Sequence, residues 1–373
     1  MQIYLDNAAT TRVCDAAVSA AVLAMTQDFG NPGSTHKMGR DAEKMLRTSR
    51  ETVSKALGCD AAELYFTSCG TEANNWAIIN GAKLNQRTGR HIISSAAEHD
   101  CVLRSLDRLE KDGFEVTRLA PQKDGSIAAA DVLAALRADT CLVSLMAVNN
   151  ETGAITDIPE IVRAVKAENP KTLFHTDAVQ AFMKIPFSAK GSGVDFASIS
   201  GHKIHAPKGI GALYIKKGIN LPPYLVGGRQ ENEKRAGTEA TAQIAAFSAA
   251  TAEVHKNFAE DTTHMHSLRK AAAERLSKMD IMLIGGGAPH IISLSLPGYR
   301  SEVILNFLEA SGIFVSKSSA CKKGERSHVL EAMGLAPNVI DGAIRASLSH
   351  YTAPEDIGAL CDALAAAKRL RHS

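Results

Sequence analysis

Ser198-Ile-Ser-Gly-His-Lys203-Ile-His-Ala-Pro-Lys-Gly-Ile-Gly-Ala-Leu-Tyr214 begins as a short strand, turns through small and polar residues, and resumes as a second apolar run. Lysine is a poor choice merely to solubilise such a turn. Held among other groups and partly desolvated, it can lose its proton and form a Schiff base. A surface turn would look similar, so Lys203 is weighed with its neighbours. Twenty-six residues upstream, Phe174-His-Thr-Asp177-Ala-Val-Gln180 ends another strand-like run in a carboxylate. That separation is about one strand and its connection. A lone Asp after a strand is equally a helix N-cap.

Outward from this pair the chain alternates. Apolar periodicity predicts strands over 64–66, 91–94, 114–119, 141–147 and 173–175. Helices are predicted over 71–87, 99–112, 128–138 and 158–169. Such alternation implies βαβ units and a mostly parallel sheet between helices, with ligands at the carboxyl ends of the strands. From about Ala240 the texture changes to an Ala-rich helix running to Lys278. Strands follow over 281–284, 290–295, 313–316 and 340–347, with a helix over 301–310. The last helix opens with a capping-box spacing, Thr352-Ala-Pro-Glu355. The expected architecture is α/β, with a large domain over 15–250 and a smaller α+β domain made of 1–14 and 251–373.

The composition excludes several classes. Forty-two basic and 40 acidic residues give a formal net charge of +2, no electrostatic argument for nucleic acid or membrane. Seven cysteines form no CxxC pair and no Cys/His cluster with zinc spacing, so neither a disulfide framework nor a metal is expected. The opening Met1-Gln-Ile-Tyr-Leu-Asp6 has neither a basic region nor an apolar core of a signal peptide, and no apolar stretch approaches the ~20 residues needed to cross a bilayer. A cytoplasmic enzyme is expected.

Pyridoxal phosphate is a cofactor that would use Lys203 and Asp177 together. It needs a carboxylate beside its pyridinium nitrogen, because that charge makes the ring an electron sink. Its phosphate needs backbone N–H groups at a helix start, plus hydroxyls. Phe66-Thr-Ser-Cys-Gly70-Thr71-Glu72 offers both, although an ordinary βα turn reads alike. His99, in Glu98-His-Asp100 at the next strand end, could stack on the ring or simply cap a helix.

With these segments in order, the chain resembles the NifS/IscS-type cysteine desulfurases, class V members of the fold type I pyridoxal-phosphate enzymes. The resemblance runs from Tyr4-Leu-Asp-Asn-Ala-Ala-Thr-Thr11 to the final helix. It is carried as well by Gly30-Asn-Pro-Gly-Ser-Thr-His36, Val148-Asn-Asn150-Glu-Thr-Gly153 and Arg235-Ala-Gly-Thr238. It implies that Lys203 carries the cofactor, His99 stacks on the ring, Asp177 pairs with the ring nitrogen, and Gln180 and Asn150 contact the ring hydroxyl side. Gly70, Thr71, Ser200 and His202 would hold the phosphate, and Thr238 would reach the phosphate of the partner in a homodimer. Arg345, in Ala343-Ile-Arg-Ala-Ser-Leu348, matches the arginine that clamps the substrate carboxylate, a task suited to a bidentate fork.

Phe314-Val-Ser-Lys-Ser-Ser-Ala-Cys321-Lys-Lys-Gly-Glu-Arg-Ser-His-Val-Leu330 matches the small-residue segment whose cysteine carries the family's persulfide. Lys322, Lys323 and Arg326 should favour its thiolate, whereas Cys141 and Cys361 suit the buried-hydrophobe reading. The implied activity takes sulfur from L-cysteine onto Cys321, leaves L-alanine, and passes the sulfur to an acceptor protein. Selenocysteine lyase, a class V aminotransferase and a non-catalytic binding paralogue are the alternatives. The chain departs from the pattern at Cys69, where many relatives have glycine, and in a short stretch between Cys321 and Ser327. It also ends at Arg369-Leu-Arg-His-Ser373 without the extension by which IscS-type enzymes dock their scaffold. The acceptor is therefore open among an iron–sulfur scaffold, a tRNA-thiolation protein and a cofactor pathway.

Overall fold

The computed structural model describes residues 2–318 and 326–369. After β1 (Ile3–Tyr4) come the strands of the central sheet: β2 (Leu64–Thr67), β3 (His91–Ser95), β4 (Glu115–Leu119), β5 (Thr140–Ser144), β6 (Leu173–Asp177), β7 (Phe196–Ser200) and β8 (Gly211–Ile215). Their order is β2-β8-β7-β6-β5-β3-β4. Strands β7, β6, β5, β3 and β4 run parallel, and β8 lies antiparallel to both β7 and β2. The expected mostly parallel α/β sheet is thus present, and it brings the carboxyl ends of β2, β3, β5, β6 and β7 to one edge.

Every residue of β3, β5, β7 and β8 is buried, as strands covered on both faces must be. The polar groups inside are paired across the sheet. Ser94 Oγ donates to the Ser144 carbonyl at 2.8 Å, Ser144 Oγ meets His175 Nδ1 at 2.8 Å, and His175 Nε2 meets Ser198 Oγ at 3.1 Å. Burial pushes the His175 imidazole down to about 3, so this ladder is neutral at physiological pH.

The rest of the chain builds β9 (Met282–Leu283), β10 (Ile291–Ser295), β11 (Ile313–Phe314), β12 (Ser316–Lys317) and β13 (Ala343–Ser347). A four-stranded sheet has the order β12-β13-β10-β9, and β1 pairs in parallel with β11. The helix Thr241–Ser277 spans both regions. Ile244, Phe247 and Val254 pack with the core of the central sheet, while Met265, Leu268 and Leu276 pack with Leu294, Leu308 and Leu364.

Three expectations need adjustment. The strand predicted over 340–347 begins only at Ala343, because Pro337, fixed in φ, starts a short helix Pro337–Asp341 that Gly342 ends. The helix predicted over 71–87 runs from Gly70 to Leu84 and holds a π turn at Trp76–Asn80, beside the fully buried Trp76. The helices Asp15–Thr26 and Lys37–Leu57 were not anticipated.

Candidate active site

The turn after β7 places Lys203 in a cavity of about 250 Å³ at the carboxyl edge of the sheet. Lys203 Nζ donates to the carbonyls of Ala8 and Ala9, both at 2.7 Å. This is the work of the Tyr4–Thr11 motif: two bare carbonyls aim the amine. Its threonines brace the same turn. Thr11 Oγ1 donates to the His202 carbonyl at 3.0 Å and accepts from the His205 N–H at 2.8 Å.

Asp177, at the end of β6, lines the same cavity and is 7% exposed. Its Oδ1 accepts the Val179 N–H at 2.9 Å, and its Oδ2 accepts from Asn74 Nδ2 at 2.6 Å. Asn74 was missed in the sequence. It lies four residues after Gly70, one helical turn on and hence on the same face, which is the signal that could have found it.

Gly70 and Thr71 open the helix after β2 and line the cavity. A Cβ at Gly70 would come within 2.8 Å of the Val179 side chain, so the backbone there must stay bare. Ser200 Oγ is buried without a hydrogen-bond partner. His202 Nδ1 lies 3.2 Å from Thr10 Oγ1, and burial, then Lys203 and Lys208, push its imidazole down to about 4. A helix start, an orphaned hydroxyl and a neutral imidazole beside a lysine fit a phosphate. The donor set as a whole fits pyridoxal phosphate.

His99 caps the helix Asp100–Lys111, its Nδ1 accepting the Cys101 N–H at 3.2 Å, with Cys101 Sγ at 3.0 Å. An Nδ1 that accepts a backbone N–H has no proton of its own, so the ring proton sits on Nε2. Cys101 also lies 3.3 Å from Asn74 Nδ2 and was not singled out in the sequence. Burial, then Asp177, push its thiol up to about 12, so it stays protonated.

Asn150, Gln180 and Arg345 also line the cavity, as does Cys69. Arg345, far from a surface residue, is 1% exposed on β13. Its Nη1 donates to the Asn150 carbonyl at 2.7 Å and its Nη2 to Asp6 Oδ1 at 3.0 Å, while Nε is buried without a partner. Two of the predicted residues are not gathered here. Thr238 is exposed and lies outside this cavity. Cys321, with Lys322 and Lys323, lies outside the described residues. Arg326, expected to favour the Cys321 thiolate, forks onto Asp341 at 2.7 and 2.9 Å.

Beyond that segment, Ser327 donates to buried Glu151, and His328 Nε2 meets the Glu98 carbonyl at 2.9 Å. Burial is the largest reason why the Glu151 carboxyl is pushed up to about 7, against the pull of Ser327 and Arg345. A raised folded-state pKa means the native state holds the proton more tightly than the unfolded chain. That contribution is complete below the ordinary value of 4.5 and is lost as pH rises through about 7. Glu151→Gln keeps an acceptor for Ser327 and cannot ionise. Its stability relative to the parent should rise by about 1–3 kcal/mol between pH 5 and pH 8 in urea unfolding. An offset identical at both pH values would contradict this.

Residues 3–360 match the model of the family described as aminotransferase class-V. Cysteine desulfurase 2 of Trichormus variabilis is 42% identical over 95% of this chain and 90% of its own length. Cysteine desulfurase NifS of Azotobacter vinelandii is 38% identical over the same shares. Among solved structures, a NifS-like protein superimposes with a TM-score of 0.94 at 35% identity, covering 99% of this chain and all of that one.

Proposed function

The chain belongs to the aminotransferase class-V family, and from that premise we propose that it is a pyridoxal-phosphate-dependent cysteine desulfurase. The observation that carries the reading is Lys203 held by two carbonyls in one cavity with Asp177 and Arg345. When bound, the cofactor supplies an electron sink for charge released at the substrate Cα. Gly70, Thr71, Ser200 and His202 would hold its phosphate. Asp177, oriented by Asn74 and the Val179 N–H, would hold the ring nitrogen. His99 would cover the ring face, and Asn150 and Gln180 its hydroxyl side.

The protein's own groups then divide the work. Arg345, fixed by Asp6 and Asn150 in the cavity wall, would meet the carboxylate of L-cysteine. Lys203 Nζ takes the Cα proton, and His99 offers the proton on Nε2. The Cys321 thiolate attacks the substrate sulfur. The electrons of the Cβ–S bond stay on carbon, which is protonated to give L-alanine, and the sulfur stays on Cys321 as a persulfide for an acceptor protein. Glu98 is held by burial toward its neutral form and brings no second negative charge beside Asp177. Purified protein loaded with cofactor should release alanine and sulfide in equal amounts from L-cysteine and a thiol reductant. Transamination without sulfide would favour an aminotransferase instead.

The proposal extends to a homodimer, a cytoplasmic location, and domains over 15–250 and over 1–14 with 251–373. No helix among the described residues is long and apolar enough to cross a membrane. Thr238, exposed on its own chain, would complete the phosphate site of a second copy. Thr238→Ala should then weaken cofactor retention by about 1–3 kcal/mol, measured by dialysis against a carbonyl scavenger. Full retention in the variant, or a fully active monomer in sedimentation, would contradict the shared site.

A further inference from the structure

Gln180 reaches outside the cavity as well as into it. Its Nε2 donates to the Ala8 carbonyl at 2.9 Å, the same oxygen that accepts from Lys203 Nζ. Its Oε1 lies 3.1 Å from Nε2 of His290, which immediately precedes β10. His290 is 1% exposed, Gln180 is 4% exposed, and no role has been given to His290 so far.

The protonation of this pair follows from the inventory of donors. A carbonyl only accepts, so the Gln180 amide must turn its NH₂ to Ala8 and its oxygen to His290. The opposite flip would set two oxygens face to face at 2.9 Å. An amide oxygen only accepts, so the His290 proton must be on Nε2. Nδ1 is then the bare nitrogen, and it is buried with no partner. Burial, followed by the charges of Lys184, Arg345 and Lys203, holds this imidazole well below its ordinary value and so neutral. Lys184 is itself buried, and desolvation lowers it to about 8 against the attraction of Asp261.

We propose that His290 is a positioning residue for the reaction: its Nε2–H fixes the Gln180 amide, and through the shared Ala8 carbonyl the seat of Lys203. The group reaching the cofactor site is thereby tied to a residue that leads into an inner strand of the four-stranded sheet. The functional half of this inference rests on the cofactor site proposed above. The tautomer does not.

Nitrogen NMR of the imidazoles in the cofactor-free protein tests the first half directly. The His290 ring should appear as the neutral Nε2–H tautomer across pH 6 to 8; an Nδ1–H tautomer or an imidazolium would overturn the proposal whatever the enzyme's activity. The second half is a mutant cycle. His290→Leu should lower kcat by about tenfold, the loss of one buried hydrogen bond, with a smaller change in KM and a shifted absorption band of the bound cofactor. His290→Gln, which restores a donor on a longer side chain, should recover the band and most of kcat. In a Gln180→Leu background, His290→Leu should add nothing further. An equal loss in both backgrounds would mean that His290 acts only on stability, and would overturn the positioning role. A parent protein that releases no sulfur would sink the desulfurase reading while leaving the tautomer result standing.

Discussion

Lys203→Ala should lose cofactor-dependent turnover by about 10³-fold or more, because one substitution removes both the covalent anchor and the base that takes the Cα proton. The expected spectrum is that of a loosely held cofactor, and borohydride reduction of the parent should leave the pyridoxyl group on Lys203 alone. Two other lysines make this a real discrimination. Lys184 is lowered to about 8 by burial, so part of it is a free amine at neutral pH. It does not line the cavity, however, whereas Lys203 does. Lys208 stands five residues on in the same turn but is exposed. Only Lys203 of the three lines the cavity, and the label should follow position. Peptide mapping that finds the group on Lys184 or Lys208 would overturn the assignment, as would a Lys203→Ala protein with parental activity.

The sequence made the pair Lys203 and Asp177 legible because one ends a strand and the other stands in the turn just after one. In a parallel sheet the residues after the strands converge at one edge whatever the loops do. What stayed hidden were contacts that depend on the third dimension. Asn74 holds Asp177 from a helix, and nothing in a lone asparagine at residue 74 announces a buried partner. Ala8 and Ala9 act through their carbonyls, which every residue possesses, so the Tyr4–Thr11 motif could be recognised without its task being seen. Nothing in Ala343-Ile-Arg-Ala-Ser-Leu348 says by itself how deeply Arg345 is buried. Its burial follows from pairing of β13 with β10 and β12, which bring Ser293 and Ser316 to either side of it. The strand expected over 340–347 was overextended for a local reason: its apolar pattern continued through Ile340, and Pro337 outweighed that pattern.

Cys321→Ala is the substitution on which the choice of reaction turns. The described residues on either side of the segment that carries Cys321 contact the cavity's lining or its chain neighbours. On one side Ser316 of β12 pairs with Arg345, and on the other Ser327 bonds Glu151 while His328 meets the Glu98 carbonyl. Lys322 and Lys323, next to Cys321 in sequence, would favour its thiolate, the form that attacks sulfur. The variant should bind cofactor and L-cysteine as the parent does, with the same absorption change on adding substrate. Release of sulfide and alanine should fall by about 10²-fold or more once the nucleophile is gone. Cys69 and Cys101 both line the cavity, and Cys101 cannot take over: with its thiol pushed up to about 12 by burial, almost none is ionised at pH 7 to 8. Cys101→Ala should accordingly keep sulfide production, as should single replacement of Cys14, Cys59, Cys69, Cys141 or Cys361. If Cys321→Ala produced sulfide and alanine at the parental rate, the thiol would be no part of the reaction. A lyase acting on selenocysteine, whose selenium leaves without a protein nucleophile, would then account for the same cavity, and comparison of the two substrates on the variant would decide it.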